Sequence, residues 1–183
     1  MAMVAPLLFQ IVGFQNTGKT TVISKLIREL DFSGLKTAVL KHHGHGGEPD
    51  AEEQKDSVKH FRSGAIVSMA EGEEALHLLG RLEQSDKIDA MLALLSFFKP
   101  ELILIEGYKH LSYPKAILLK GPDDFVLADE LKNIKVLLCW PAVMDKAKRK
   151  NYDIPIFNID DNSFFDWFVL NYQNITIPVK RKY

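Results

Sequence analysis

Residues 7–20 read LLFQIVGFQNTGKT, and this stretch decides the fold. Its first half, Leu7 to Val12, is a short apolar run of the kind that forms a buried strand. Its second half matches the pattern G-x-x-x-x-G-K-[ST] over eight residues. The segment that follows, Lys19 to Leu30, carries apolar residues at helical spacing. The stretch therefore predicts a strand, a glycine-rich loop and a helix in immediate succession, which is the context that the pattern requires.

The glycine-rich loop predicts a site for the phosphates of a nucleoside triphosphate. Glycines permit backbone conformations that direct consecutive N–H groups at phosphate oxygens, and the start of the helix adds unpaired N–H donors. Lys19 reaches the β- and γ-phosphates, the Thr20 hydroxyl is a Mg²⁺ ligand, and Thr21 is placed to contact the α-phosphate. A glycine turn that opens a helix without a ligand is the alternative. The predicted nucleotide-binding residues are Gly13, Phe14, Gln15, Asn16, Thr17, Gly18, Lys19, Thr20 and Thr21.

Short apolar runs alternate with segments of helical period along the rest of the chain, which predicts an α/β fold with a mostly parallel sheet. The chain is expected to form one nucleotide-binding domain over residues 1–183, with residues 173–183 as an edge strand or a tail. Residues 71–73 are predicted as a turn, and residues 74–79 fit either a strand or a helix. The predicted strands are residues 7–12, 36–41, 65–70, 102–105, 116–119, 134–139 and 155–158, and the predicted helices are residues 19–30, 55–63, 85–98 and 164–172.

A carboxylate follows the buried run Leu102 to Ile105. Ligands in such sheets bind beyond the carboxyl ends of the strands, so Glu106 is expected to face the glycine-rich loop. There it would bind Mg²⁺ directly or through water, or orient an attacking water, with Lys19 as the second catalytic residue. Gly107 would let the backbone pass close to a γ-phosphate. A glutamate exposed at a turn is the alternative.

Three of the six histidines, His42, His43 and His45, fall within four positions after the second predicted strand. They are expected on the phosphate-binding rim, where they would contact phosphate, a cofactor or a partner. A transition-metal site is the alternative, although a loop with no cysteine nearby lacks a helical spacing that would hold two imidazoles on one metal. Asp56 is assigned either to this rim or to the N-terminal cap of the short helix that follows.

Composition limits the partners. The 23 Lys and Arg residues balance 24 Asp and Glu residues, so a net charge of -1 predicts neither a nucleic-acid nor a membrane partner. The single cysteine and the absence of a basic leader or a long apolar stretch favour a cytoplasmic protein. The guanine-reading box N-K-x-D is absent, and the nearest segment, Val143 to Lys146, does not match it, so base preference cannot be inferred from the motifs.

With these residues in hand, the chain resembles the molybdopterin-guanine dinucleotide biosynthesis protein B (MobB) family. The resemblance rests on the glycine-rich loop, on Lys41 to His45, on Lys55-Asp56-Ser57 leading to Gly64-Ala65, and on Glu106-Gly107-Tyr108-Lys109 followed by Pro114-Lys115. It implies a P-loop NTPase-like three-layer sandwich (the loop being a Walker A motif), GTP and Mg²⁺ as ligands, weak GTP hydrolysis and a homodimer. It also implies partnership with the molybdenum cofactor guanylyltransferase and contact with molybdopterin or its guanine dinucleotide. The helix departs from the family pattern, because Lys59 and Phe61 stand where the family commonly has basic forks and a lysine does not hold a phosphate with two parallel hydrogen bonds as an arginine does.

Three other functions fit the same residues. A metal-insertion GTPase would use His42, His43 and His45 as ligands. A small-molecule kinase would use Asp56 as a base and the histidine loop as its acceptor site. A pure adaptor would switch partner affinity with bound nucleotide, and hydrolysis would be incidental.

Overall fold

The computed structural model describes residues 5–42, 55–82 and 87–180. By the contacts among its residues the chain divides into two compact units, residues 1–42 with 94–183, and residues 43–93. The elements in chain order are β1 (Leu7–Val12), α1 (Lys19–Phe32), β2 (Thr37–Lys41), α2 (Asp56–Arg62), β3 (Val67–Gly72), β4 (Ala75–Gly80), α3 (Lys87–Phe97), β5 (Leu102–Glu106), β6 (Lys115–Leu119), α4 (Phe125–Glu130), β7 (Ile134–Cys139), α5 (Pro141–Arg149), β8 (Ile156–Asn158), α6 (Ser163–Ile175) and β9 (Ile177–Pro178).

The larger unit is built on one sheet whose strands run in the order β2-β5-β1-β6-β7-β8, all parallel. The strand β9 pairs antiparallel with the start of β1, while β6 pairs with its second half. In this register Ile11 of β1 and Lys41 of β2 both lie opposite Glu106 of β5. The carboxyl ends of β2, β5 and β1 therefore meet at one edge, immediately beside the glycine-rich loop.

Two apolar clusters cover the two faces of this sheet, because successive residues of a strand point to opposite faces. Phe9 and Ile11 of β1 belong to the cluster that α1 and α6 complete, and Phe168 of α6 packs edge-on against Phe9 at 4.9 Å between ring centroids. Val12 belongs to the other cluster, which includes buried residues of α4 and α5. Helices on both faces of a mostly parallel sheet make three layers, so the predicted fold class is confirmed.

The smaller unit contains α2 and the antiparallel hairpin β3–β4, in which Val67 pairs with Gly80 and Gly72 with Ala75. Arg81 ties the end of the hairpin to α2, since its guanidinium lies 4.5 Å from the centroid of the Phe61 ring and donates to the Phe61 carbonyl at 3.0 Å. The hairpin leaves apolar side chains exposed, among them Ile66, Val67 and Met69. The prediction of a single domain over residues 1–183 stays a prediction.

The sequence prediction was most accurate where apolar runs are buried. The bounds of β1 and β7 are as predicted, and α1 runs two residues past Leu30. The turn predicted at residues 71–73 lies at residues 73–74 instead, because β3 continues to Gly72 and residues 75–80 form its partner strand. The prediction omitted α4 and α5 altogether. None of the described helices is both long and apolar enough to cross a bilayer.

Candidate nucleotide site

The glycine-rich loop connects β1 to α1, and its backbone requires glycine at two positions. A Cβ at Gly13 would lie 2.6 Å from the Thr17 hydroxyl and 3.2 Å from Leu118, so a side chain cannot fit without moving the loop. Gly18 has a φ of +98°, in the left-handed region that disfavours residues with a side chain. Asn16 also lies in this region, at a φ of 59°. The loop thus curls tightly before α1 begins.

The carbonyl groups of the loop are held by side chains. The Thr17 hydroxyl and the Lys19 ammonium both donate to the Phe14 carbonyl, at 2.9 and 2.6 Å. Lys120 donates to the Asn16 carbonyl at 3.1 Å, and the Trp140 indole donates to the Thr17 carbonyl at 2.9 Å. In the described part of the chain, no carbonyl outside the loop accepts a hydrogen bond from the N–H groups of residues 14–18. These N–H groups and the uncapped start of α1 are the donors that an anion would use.

Glu106 faces this loop from the end of β5. Its Oε1 accepts a hydrogen bond from the Thr20 hydroxyl at 2.9 Å and lies 3.7 Å from Nζ of Lys41. The side chain is buried, so the alternative of an exposed turn glutamate is wrong. A hydroxyl and a carboxylate in contact form a set of hard oxygen donors, the kind that Mg²⁺ prefers.

Cations surround the pair of Thr20 and Glu106. Burial lowers the pKa of Lys19, nearby Lys109 and Lys41 lower it further, and Glu106 opposes them. Lys109 also lies over the Phe14 ring, with its Nζ 4.0 Å from the ring centroid. One carboxylate therefore shares its surroundings with several lysines, and a bound polyphosphate would relieve the repulsion among them.

The segment after Glu106 turns back sharply beside the loop. Gly107 has a φ of +87°, and a Cβ there would lie 3.1 Å from Cβ of His42, so the two backbones approach closely. The rings of His42 and Tyr108 stack with centroids 4.3 Å apart. The buried Gln10 amide donates to the Gly107 and Tyr108 carbonyls at 2.6 and 2.5 Å, which fixes the turn from inside the sheet.

Of the residues predicted on the phosphate-binding rim, the described part of the chain includes His42 and Asp56. His42 lies beside Glu106, whose carbonyl accepts from the His42 N–H at 2.9 Å. His43 and His45 lie outside the described residues, and within those residues no three His, Cys, Asp or Glu side chains group as metal ligands. Asp56 belongs to the smaller unit, and its role at the site stays a prediction. As a helix cap it is wrong, because the cap position is Lys55 and Asp56 is the first residue of α2, where its carboxylate pairs with Lys59 at 3.0 Å.

Sequence reasoning missed Lys120 and Trp140, which follow β6 and β7 directly. The missed signal is their place at the carboxyl ends of strands on the same side of β1. A Cβ at Gly18 would lie 3.4 Å from Ile159, which follows β8. Residues at the carboxyl ends of β6, β7 and β8 therefore enclose this side of the loop. The segment examined for a guanine box, Val143 to Lys146, lies within α5, which begins immediately after Trp140. There is no loop at those residues to read a base.

Comparison with known proteins gives one consistent result. The sequence profile of the family described as molybdopterin guanine dinucleotide synthesis protein B matches residues 8–139. A probable molybdopterin-guanine dinucleotide biosynthesis adapter protein of Bacillus subtilis is 34% identical over 176 residues, which cover 93% of this chain and 96% of the relative. The adapter protein of Escherichia coli is 28% identical over 127 residues, which cover 66% of this chain and 72% of the relative.

Solved structures agree with the fold. The crystal structure of Bacillus subtilis MobB superposes with a TM-score of 0.73 at 32% identity, and the match covers 90% of this chain and 96% of that one. A MobB protein homolog from Bacillus stearothermophilus superposes with a TM-score of 0.68 at 24% identity, covering 91% and 97% of the two chains.

Proposed function

The chain belongs to the molybdopterin guanine dinucleotide synthesis protein B family, and on that premise we propose that it is a GTP-binding adapter in molybdopterin guanine dinucleotide biosynthesis. The family predicted from the sequence is thereby confirmed. The accessory role follows from the names of its relatives, which are adapter proteins of that biosynthesis. The same proposal includes a cytoplasmic location. It also includes the guanylyltransferase, one of the pathway's enzymes, as a partner.

The observation that carries the nucleotide part of the proposal is the contact between Thr20 and Glu106. It sets a hydroxyl at the start of α1 against a carboxylate at the end of β5, 2.9 Å apart, next to the Lys19 ammonium. Thr20 and Glu106 would hold Mg²⁺, and the metal would supply charge neutralisation for the phosphates. Lys19 and the N–H groups of residues 14–18 would bind the phosphate oxygens.

Hydrolysis in this site would be slow. Glu106 is the residue placed to orient a water, and its Oε1 is already engaged by Thr20. The cations around it in the described residues are lysines, which lack the fork of donors with which an arginine spans the transition-state charge. The site's main contribution would be electrostatic stabilisation of bound nucleotide, which suits an adapter more than an efficient enzyme.

A homodimer is part of the proposal, and the hairpin of the smaller unit supports it. Met69 in β3 is 58% exposed and Ile66, just before β3, is 78% exposed. Exposed apolar patches of this kind mark association surfaces, and the family resemblance implies a homodimer, so a second copy would cover this patch. Met69→Glu is expected to give a monomer in sedimentation analysis. A dimer with unchanged affinity would remove the hairpin from the interface.

The adapter role is tested by reconstitution. Purified guanylyltransferase converts molybdopterin and GTP to the guanine dinucleotide, and the rate of product formation is measured with and without this protein. We expect stimulation by the natural protein, none by Lys19→Ala, and full stimulation by Lys36→Ala, whose exposed lysine lies at the opposite end of the sheet. Equal stimulation by Lys19→Ala would separate the adapter role from the nucleotide site. No stimulation by any form would contradict the adapter role itself.

A further inference from the structure

Lys115 is a buried lysine that the nucleotide site does not use. It begins β6, between Gln10 of β1 and Ile134 of β7, and only 1% of it is exposed. Its ammonium donates to the Leu111 carbonyl at 2.5 Å. An ammonium has three N–H donors, and within the described ranges of the chain this carbonyl is its one hydrogen-bond acceptor and no carboxylate pairs with it.

Such a lysine is costly to the fold unless something compensates its charge. Burying an ammonium with incomplete hydrogen bonding is unfavourable, and burial accordingly lowers the pKa of Lys115. Apolar side chains of similar volume often replace buried charges without loss of stability. Fixing the preceding turn through one carbonyl is therefore a weak reason to keep a lysine at this position.

A cavity of about 270 Å³ lies beside Lys115. Its lining is predominantly basic, with one carboxylate, and the polar residues are Lys109, His110, Ser112, Lys115, Glu130 and Lys132. Lys132 and His110 are exposed at its mouth, while Lys115 forms its buried wall. The lining thus brings a buried lysine that has one hydrogen-bond acceptor together with further basic residues and a serine around one volume.

We propose that this cavity is a binding site for a phosphate-type anion, such as a phosphate monoester, held by Lys115 with Lys132 and the Ser112 hydroxyl. Among the lining residues the two lysines Lys115 and Lys132 stand against the single Glu130 carboxylate, which leaves an excess of positive charge for an anion to balance. Lys109 also lines the cavity, but its ammonium lies over the Phe14 ring beside the glycine-rich loop and belongs to that site. The existence of the cavity site does not depend on the identity of the nucleotide.

The test is a titration of the ¹⁵N-labelled protein with inorganic phosphate and with phenyl phosphate, followed by amide chemical shifts. Because the glycine-rich loop is also expected to bind phosphate, the two sites are separated by position. We expect saturable shifts at residues 110–112 and 130–132 in addition to those at residues 13–20. Acetate at equal ionic strength controls for screening, and shifts of the same size with acetate would overturn the proposal.

Two variants are expected to affect phosphate binding at one site and leave it intact at the other. Lys115→Met should weaken phosphate binding in the cavity by about tenfold or more, with the loop shifts intact. Lys19→Ala should abolish the loop shifts and keep those of the cavity. Lys135→Met, a lysine of β7 outside the lining, is the matched control and should change neither.

Stability separates binding from a merely structural role. If Lys115 serves a ligand, Lys115→Met should unfold at the same or a higher urea concentration than the natural protein in phosphate-free buffer. A clear loss of stability together with absent cavity shifts in the natural protein would make Lys115 an anchor of the turn and refute the site. Should Lys115→Met fail to fold, the exposed Lys132→Met decides, with an expected loss of a few-fold in cavity affinity; unchanged affinity would count against the proposal.

Discussion

Lys19 and Lys115 are two lysines of one unit whose pKa is lowered by burial, and their surroundings differ in one respect. Lys19 lies near Glu106, which opposes the effect of burial, whereas Lys115 has only a carbonyl beside it. The first lysine belongs to a site in which Glu106 supplies part of the negative charge, and the phosphates of a bound nucleotide would supply the rest. Among the described residues no carboxylate forms an ion pair with the second lysine, although Glu130 lines the same cavity. The difference indicates that a functional lysine is recognised by its surroundings as well as by its motif, since Lys115 lies in no phosphate-binding pattern.

The largest effect is expected at the glycine-rich loop itself. Gly13→Ala places a Cβ 2.6 Å from the Thr17 hydroxyl, which must displace the loop. We expect nucleotide binding to be lost and the free energy of unfolding to fall by about 1–3 kcal/mol, as measured by calorimetry and urea denaturation. Gly121→Ala is the control, because among the described residues, its chain neighbours aside, no atom lies within 4 Å of its added Cβ. Retained nucleotide affinity in Gly13→Ala would show that nucleotide binding does not depend on the geometry of the glycine-rich loop.

Glu106→Gln tests the carboxylate that distinguishes the surroundings of Lys19. The amide keeps an acceptor for the Thr20 hydroxyl but loses the charge that attracts Mg²⁺. The enhancement of nucleotide affinity by Mg²⁺ should fall by about tenfold, measured by titration with and without the metal. Glu101→Gln, at the other end of β5, should behave as the natural protein. A full Mg²⁺ effect in Glu106→Gln would remove this residue from the metal site.

Trp140→Phe tests the support of the loop from β7. The substitution keeps an aromatic ring and removes the hydrogen bond from Nε1 to the Thr17 carbonyl. We expect a loss of about 1 kcal/mol, or roughly fivefold in nucleotide affinity. Trp167→Phe, which alters a ring packed near Phe157 and Phe164, is the control and should leave the affinity unchanged. Equal losses in both variants would indicate a general effect on packing.

The pH dependence of stability gives the smallest effect and bears on Lys115. Burial lowers the folded-state pKa of Lys115 below its ordinary value of 10.5, so between the two values the unfolded chain binds the proton that the folded chain has released. The free energy of unfolding therefore gains a contribution that rises with pH through this window. Lys115→Met removes it, and its stability should rise less between neutral pH and 10.5 in urea titrations. Identical pH profiles would mean that Lys115 is solvated like a surface lysine.

The sequence alone predicts those parts of the fold that a short, contiguous stretch of residues specifies. The run from Leu7 to Val12 and the glycine pattern specify β1, the loop and α1, and the tip of the next buried strand places Glu106 at the same edge. By contrast, α5 buries only Val143 and Ala147, which have helical spacing but lie in a short segment of mostly charged residues, so the sequence analysis missed this helix. The hydrogen bonds of Lys120 and Trp140 join segments more than 100 residues apart, and no local pattern encodes them.

Lys115 shows a further limit of the sequence. The predicted strand began at Ala116, because a charged residue does not fit a run of buried apolar ones, yet the strand starts at Lys115 and buries it. Its environment depends on β1 and β7 on either side and on the turn before it. Only the assembled sheet reveals that the lysine is enclosed.

The most direct test of the nucleotide site is titration calorimetry of the purified protein with non-hydrolysable GTP and ATP analogues in the presence of Mg²⁺, repeated on Lys19→Ala. We expect tighter binding of the GTP analogue and loss of that binding in Lys19→Ala. Equal binding of the two analogues, a preference for the ATP analogue, or unchanged binding by Lys19→Ala would contradict this expectation.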